Sequence, residues 1–295
     1  MKIAIIGAGK WGQALYHAYS QNNDVVIHSR TAKNIENFVS LEAALEREYL
    51  VMAIPAQFVR GWMEENFEDR GQNIVVAAKG IETSTGAFLN DIYSEFLPEE
   101  RLAYISGPSF AAEVKQSLPT ALMISSTNVQ LAQTYADALP EFIKGYVDDD
   151  VVGAEVSGAY KNVIAIAGGV CDGFSLGNNA RAALISRGLV EMTRFGEAFG
   201  AKAETFLSLG GAGDLFLTAS SKLSRNYRVG LGLAEGKSMD EILEELGEVA
   251  EGVPTAKALE KIAQRKGLYL PIAHEVYAMI EEGKDPKQSV KDLLA

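Results

Sequence analysis

Short apolar runs recur through the first half of the chain, at Ile3–Ile6, Val25–Ile27, Leu50–Ile54, Ile74–Ala78, Leu102–Ile105, Ala121–Ile124 and Phe142–Val147. Runs this short read as strands, and the stretches between most of them carry helical periodicity. Strands alternating with helices predict a doubly wound parallel sheet of the α/β class, with its ligand site at the carboxyl ends of the strands. Past Asp148-Asp149-Asp150 the pattern changes to long helical periodicity. There, Ser238-Met239-Asp240-Glu241 has the form of a capped helix start, and Gly267 and Gly283 fall where helices should end. Two units are expected: an α/β unit over residues 1–149 and an all-α unit over 150–295. No Pro/Gly/Ser-rich linker, internal repeat or low-complexity tract separates them.

The first apolar run leads straight into Gly7-x-Gly9-x-x-Gly12 and then into a helical pattern. Strand, turn and helix in this order are the opening of a Rossmann-type dinucleotide-binding unit. Gly7 allows the tight turn, Gly9 lets a pyrophosphate approach the backbone, and Gly12 lets the helix lie close to the strand. The second run ends in Ile27-His28-Ser29-Arg30-Thr31, where a NAD-specific site would carry an acid for the ribose. Arg30 can form a bidentate pair with a 2′-phosphate, with Ser29 and Thr31 as hydroxyl donors, so NADP(H) is favoured over NAD(H). The plainer alternative is a solvated loop arginine.

Three further strand ends carry chemistry. Ile54-Pro55-Ala56-Gln57 could shape the cofactor pocket or be an ordinary strand-to-helix turn. Val75-Val76-Ala77-Ala78-Lys79-Gly80 ends a buried strand in a lysine that should point into the cleft, where it suits a phosphate or a polarised carbonyl. Ser106-Gly107-Pro108-Ser109-Phe110-Ala111 could offer contacts from Gly107 and Ser109, or Ser109 could simply be a helix N-cap. In the second half, Gly158 to Cys171 is apolar almost throughout, and Lys161 and Asn162 stand out within it. An ammonium buried there is a candidate acid/base, the alternative being a lysine that snorkels to solvent. Asp214, among glycines and apolar residues, could pair with Lys161 and orient it. Ser224-Arg225-Asn226 is a compact phosphate-binding set, and Glu251 could bind a ribose or an amide, or cap a helix.

Composition narrows the class. With 295 residues at 47% hydrophobic content there is enough apolar material for two cored units. The single cysteine, Cys171, rules out an internal disulfide framework and points to a reducing compartment. Met1 leads directly into a strand with no basic-then-apolar leader, and no run approaches a membrane span, so a cytoplasmic chain without membrane insertion is expected. A net charge of −12 disfavours nucleic acid and anionic membranes. The three histidines, His17, His28 and His274, lack metal-ligand spacing, and no metal is expected. Trp62 reads as packing, whereas Trp11 lies inside the glycine turn and could flank a cofactor.

Taken together, Gly7-x-Gly9-x-Trp11-Gly12, Gly107-Pro108-Ser109-Phe110-Ala111, Gly158-Ala159-Tyr160-Lys161-Asn162, Gly211-x-Gly213-Asp214-Leu215, Ser224-Arg225-Asn226 and Glu251-Gly252-Val253 resemble the bacterial-type NAD(P)-dependent glycerol-3-phosphate dehydrogenase family over nearly the whole chain. The resemblance implies an oxidoreductase that interconverts sn-glycerol 3-phosphate and dihydroxyacetone phosphate, in a homodimer that supplies phospholipid synthesis. It assigns proton transfer to Lys161 and substrate contacts to Lys79, Gly107, Ser109, Asp214, Ser224, Arg225 and Asn226. It places Lys10, Trp11, Ser29, Arg30, Lys79, Ala111, Arg225, Val249 and Glu251 at the cofactor. Three departures stand out: a shortened Arg30–Tyr49 segment, which implies a more open adenosine end, Lys10 where a serine is common, and Ala219 where a cysteine often follows. A 6-phosphogluconate-like or 2-hydroxyacid dehydrogenase shares the architecture, although Ser224-Arg225-Asn226 favours a small phosphate. A non-catalytic NADP(H) sensor would have no need of Lys161, Asp214 and Arg225 together.

Overall fold

All seven apolar runs become strands of one sheet in the computed structural model of the chain, which describes residues 1–294. They are β1 (Lys2–Ile6), β2 (Asp24–His28), β3 (Tyr49–Met52), β4 (Asn73–Val76), β5 (Leu102–Ser106), β6 (Thr120–Ser125) and β7 (Ile143–Asp148). Helices α1 (Lys10–Tyr19), α2 (Leu41–Leu45), α3 (Val59–Asn66), α4 (Leu89–Ser94), α5 (Ala111–Val114) and α6 (Val129–Asp137) lie between them. The spatial order is β2-β1-β3-β4-β5-β6-β7. The first five strands are mutually parallel, so their carboxyl ends share one edge, and the order switches direction between β1 and β3, the place where doubly wound sheets form their ligand crevice.

The sheet departs from the all-parallel expectation at one place. β5 and β6 pair antiparallel, and β6 and β7 are parallel to each other. The connection from β5 to β6 carries only the four-residue α5, which turns the chain and cannot return it to the far edge as a full crossover would.

Successive strand residues feed opposite faces. Ile3, Ile5 and Val75 pack with Ala14 and Leu15 of α1 and Ala132 and Tyr135 of α6. Ala4, Ile6 and Val76 pack with Val59 and Met63 of α3 and Leu89 and Ile92 of α4. The segment after β2 lies back along that strand, with Val39 N donating to Ile27 O, Ile27 N donating to Asn37 O, and Lys33 Nζ donating to Ala8 O at 2.7 Å.

The remainder is helical: α7 (Val151–Gly173), α8 (Gly177–Glu197), α9 (Asp214–Ala219), α10 (Arg225–Ala234), α11 (Met239–Leu246), α12 (Gly252–Lys266), α13 (Pro271–Glu281) and α14 (Pro286–Leu294). The 23-residue α7 is the axis of this half. It is buried along nearly its whole length because α8, α9, α10, α12 and α13 pack around it, and it also touches β5. Asp150 caps it, with one carboxylate oxygen accepting from Gly153 N and the other from Lys202 N and Thr205 Oγ1. α7 and α10 cross at backbone contact: a Cβ on Gly230 would lie 1.9 Å from Ile166 O. That close crossing brings the start of α10 toward the middle of α7. Ser238 and Glu241 form the expected capping box of α11, and Gly267 ends α12 in the left-handed region.

Candidate active site

Lys79 and Lys161 meet at Asp214. β4 leads through Ala77 and Ala78 to Lys79, whose stem crosses α7 at Gly158, where an added Cβ would lie 3.1 Å from Lys79 Cγ. Lys79 Nζ then donates to Asp214 Oδ2 at 2.7 Å. Lys161, one turn beyond Gly158 on α7, donates to Asp214 Oδ1 and, at 3.1 Å, to Thr218 Oγ1. Thr218, one turn after Asp214 on α9, donates to the same carboxylate oxygen at 3.2 Å. A π-helical turn over Leu209–Gly213 precedes Asp214 and sets where α9 begins.

Lys161, Asp214 and Thr218 are buried. Burial, assisted by the neighbouring Lys79 ammonium, pushes Lys161 down to about 7 against the opposing pull of Asp214. Burial alone would raise the Asp214 carboxyl, but the Lys161 and Lys79 ammonium groups hold it below its ordinary value. One negative charge faces two amines, so the trio is neutral once Lys161 gives up its proton. An amine poised in this way can hold or release a proton near neutral pH.

The Ser224-Arg225-Asn226 set divides in the structure. Ser224 caps α10, its hydroxyl accepting from Tyr227 N at 3.2 Å. Asn226 is buried, and its Oδ1 accepts from Gly252 N at 2.9 Å. Arg225 is exposed and pairs with Glu248 Oε2 at 3.4 Å. Nearby, Glu251 lies close to Ala56 and Gly80, with Oε2 buried and unpartnered. Burial raises its carboxyl to about 7, against the pull of Arg225. An orphaned acceptor of this kind suits an amide or hydroxyl donor from a ligand.

At the crevice, Gly7 has φ +110°, and a Cβ there would strike Ala53 O at 2.5 Å. A Cβ on Gly12 would lie 1.8 Å from Gly7 O, whereas one on Gly9 would point into open space. The turn is thus closed on the protein side and open on the ligand side, at the N-terminus of α1. Trp11 Nε1 donates to Ala77 O at 3.2 Å, walling the crevice toward Lys79. Past β2, Ser29 Oγ donates to Thr31 O, and Arg30 is exposed. These features fit a dinucleotide laid from the end of β2 to Glu251. Among the described residues no group of three or more His, Cys, Asp or Glu side chains is placed to hold a metal, and no helix is long and apolar enough to cross a membrane.

Comparison with known proteins agrees with this geometry. Residues 32–132 match the NAD-dependent glycerol-3-phosphate dehydrogenase N-terminus, and residues 150–291 match its C-terminus. The chain belongs to the NAD-dependent glycerol-3-phosphate dehydrogenase family. A glycerol-3-phosphate dehydrogenase (NAD(P)+) of Sulfurimonas denitrificans is 60% identical over 294 residues, covering 100% of this chain and 99% of that one. One from Nitratiruptor is 59% identical, covering 100% and 98%. The crystal structure of glycerol-3-phosphate dehydrogenase from Coxiella burnetii superposes with a TM-score of 0.91 at 34% identity, over 99% of this chain and 98% of that one.

Of the residues singled out from the family resemblance, Lys79, Lys161 and Asp214 are joined directly. Arg225, Asn226, Val249 and Glu251 gather around the start of α10 and the α11–α12 loop, and Lys10 and Trp11 open α1. Gly107, with φ +113°, ends β5, and Ser109 Oγ donates to Gly107 O at 3.1 Å. Ser109 is not the N-cap of α5, because Phe110 holds that position and Ala111 is the first helical residue. Nor does the Glu251 side chain cap α12. Sequence reasoning missed Thr218 and Glu248. Thr218 was findable as the residue one helical turn after Asp214. Glu248 carried no signal beyond its closeness to Glu251.

Proposed function

We propose that this chain reduces dihydroxyacetone phosphate to sn-glycerol 3-phosphate and catalyses the reverse oxidation, with Lys161 as the proton donor and acceptor. The nicotinamide cofactor, when bound, supplies or accepts the hydride. Gly7, Gly9, Lys10, Trp11 and Gly12 hold its pyrophosphate region, Ser29 and Arg30 its adenosine end, and Ala111, Val249 and Glu251 line the rest of its path. Protonated Lys161 gives its proton to the alkoxide that develops on the substrate, and Asp214 and Thr218 fix the ammonium in place. Lys79 stabilises the growing negative charge. Arg225, with Asn226, Ser224, Gly107 and Ser109, grips the phosphate and orients the carbonyl. In the oxidative direction neutral Lys161 takes the hydroxyl proton. We further infer a cytoplasmic homodimer that feeds phospholipid synthesis, and a division into a cofactor unit over 1–149 and a catalytic unit over 150–295.

The observation that supports this most is the Lys79–Asp214–Lys161 junction: a buried amine brought near neutral pH, beside a crevice shaped for a dinucleotide. The deciding experiment is the initial rate of NADPH and NADH oxidation with dihydroxyacetone phosphate, followed by the absorbance of the reduced nicotinamide. Turnover supports both substrate and reaction. Tight NADPH binding without turnover would discard the substrate.

A further inference from the structure

Lys10 is the first residue of α1 and Arg225 the first of α10, so each cation sits where its own helix already presents positive partial charge. One carboxylate joins them. Glu248, in the loop between α11 and α12, pairs with Lys10 through Oε1 and with Arg225 through Oε2. Its side chain is 30% exposed, against 76% for Lys10 and 44% for Arg225, so the anion is the most covered member of the trio. Gly247, in the left-handed region, ends α11 immediately before it and turns the loop toward the crevice. Under the function proposed above, both cations are wanted by phosphates: Lys10 beside the pyrophosphate turn and Arg225 at the substrate phosphate. A carboxylate already bonded to both must be displaced when either phosphate arrives, and it repels them if it stays.

We propose that Glu248 is a positioning residue of this kind: an internal anion that holds Lys10 and Arg225 across the crevice, yields them to incoming phosphates, and so sets how tightly cofactor and substrate bind without entering the chemical step. It spans two elements that the ligands themselves would bridge, from the α11–α12 loop that also carries Val249 and Glu251.

The test compares Glu248→Gln with Glu244→Gln, which removes the same charge from an exposed position on α11. NADPH affinity is measured by calorimetry, and the KM for dihydroxyacetone phosphate and kcat by steady-state rates, at low and high salt. Glu248→Gln should tighten NADPH binding and lower KM, each by about threefold, with kcat unchanged and the gain shrinking at high salt. Glu244→Gln should change none of these. Weaker binding in Glu248→Gln, or an equal gain in Glu244→Gln, overturns the proposal. Should the parent protein fail to turn over dihydroxyacetone phosphate, the assigned reaction falls, while the NADPH calorimetry still decides the role of Glu248.

Discussion

Lys79 and Lys161 donate to opposite oxygens of the same Asp214 carboxylate, one from the end of a sheet strand and the other from the central helix of the second half. A single carboxylate cannot neutralise two ammonium ions in a buried place. The surplus positive charge weakens the hold of Lys161 on its proton and would stabilise an alkoxide formed beside it. The junction is therefore at once a bridge between the two halves and a source of proton and field.

Removing the amine should separate chemistry from binding. Lys161→Ala is expected to lower kcat by about a hundredfold to ten-thousandfold, the usual range for loss of a positioned acid/base. NADPH affinity, measured by calorimetry, should stay within about twofold, because no part of the glycine turn is touched. A near-normal kcat would end the proposed role of Lys161.

The pH dependence follows from the depressed pKa. Lys161 lies at about 7, so reduction, which needs the protonated form, should be fastest below that pH and decline above it, while oxidation should rise through the same region. Asp214 opposes the depression. Asp214→Asn should accordingly move the reductive limb to lower pH, besides lowering kcat. A limb that stays put or moves up in pH–kcat profiles would show that Lys161 is not the group being titrated.

Much of this was legible in the sequence, for identifiable reasons. Most strands announce themselves through an unbroken apolar run, and the edge strand β7 through a run broken only at Lys144 and Gly145, so all seven were found; Lys161 was conspicuous because it interrupts a run that has no other reason to hold a charge. Strand direction leaves no such mark. The apolar pattern of Ala121–Ile124 is the same whichever way the strand runs, and the antiparallel β5–β6 pair was read as parallel. The convergence of Lys79 on Asp214 depends on how α7 crosses the strand ends, which is set by contacts remote in sequence. Ser224 and Asn226 stood out by residue type alone; that Ser224 also caps α10 and Asn226 also accepts from Gly252 N depends on the fold, and each keeps a donor, the Ser224 hydroxyl and the Asn226 amide N–H, for a ligand.

Arg30 makes coenzyme choice testable. It is exposed at the end of β2, so replacing it by Ala should leave the melting temperature unchanged. The Kd for NADPH should rise by about tenfold, the loss of a charge-assisted pair to a phosphate. NADH affinity should barely move, since NADH lacks the 2′-phosphate. Equal effects on both coenzymes would make Arg30 a solvated surface residue.

Glu155 on α7 gives a stability prediction outside the chemistry. It accepts from Asn90 N at 2.9 Å, and burial raises its carboxyl to about 8 from an ordinary 4.5. Between those values the folded chain retains a proton that the unfolded chain releases, so this group makes stability fall as pH rises from about 4.5 to about 8 and level off above. Glu155→Gln keeps an acceptor for Asn90 and removes that slope. The melting temperature of the variant minus that of the parent should grow across this interval and be largest above about pH 8. A flat difference would mean that the Glu155 carboxylate is solvated.

The glycine turn offers the sharpest separation of fold from ligand. Gly9 has φ −70°, which alanine adopts without strain, and its Cβ would meet nothing within 4 Å. Gly9→Ala should thus fold with a stability within about 0.5 kcal/mol of the parent. The added methyl group would still stand where a pyrophosphate must approach the backbone at the start of α1, so NADPH affinity should drop by about tenfold or more. Gly12 has φ/ψ that alanine also accepts, being inside α1, but its Cβ would lie 1.8 Å from Gly7 O. Relief would require α1 to lift away from β1, disturbing Ala14 and Leu15 in the core, and Gly12→Ala should lose about 2 kcal/mol or more. Denaturant unfolding and NADPH calorimetry on the two variants give opposite patterns if the crevice is the dinucleotide site: Gly9→Ala stable but weak in binding, Gly12→Ala unstable. Full NADPH affinity in a stably folded Gly9→Ala would place the cofactor away from this turn.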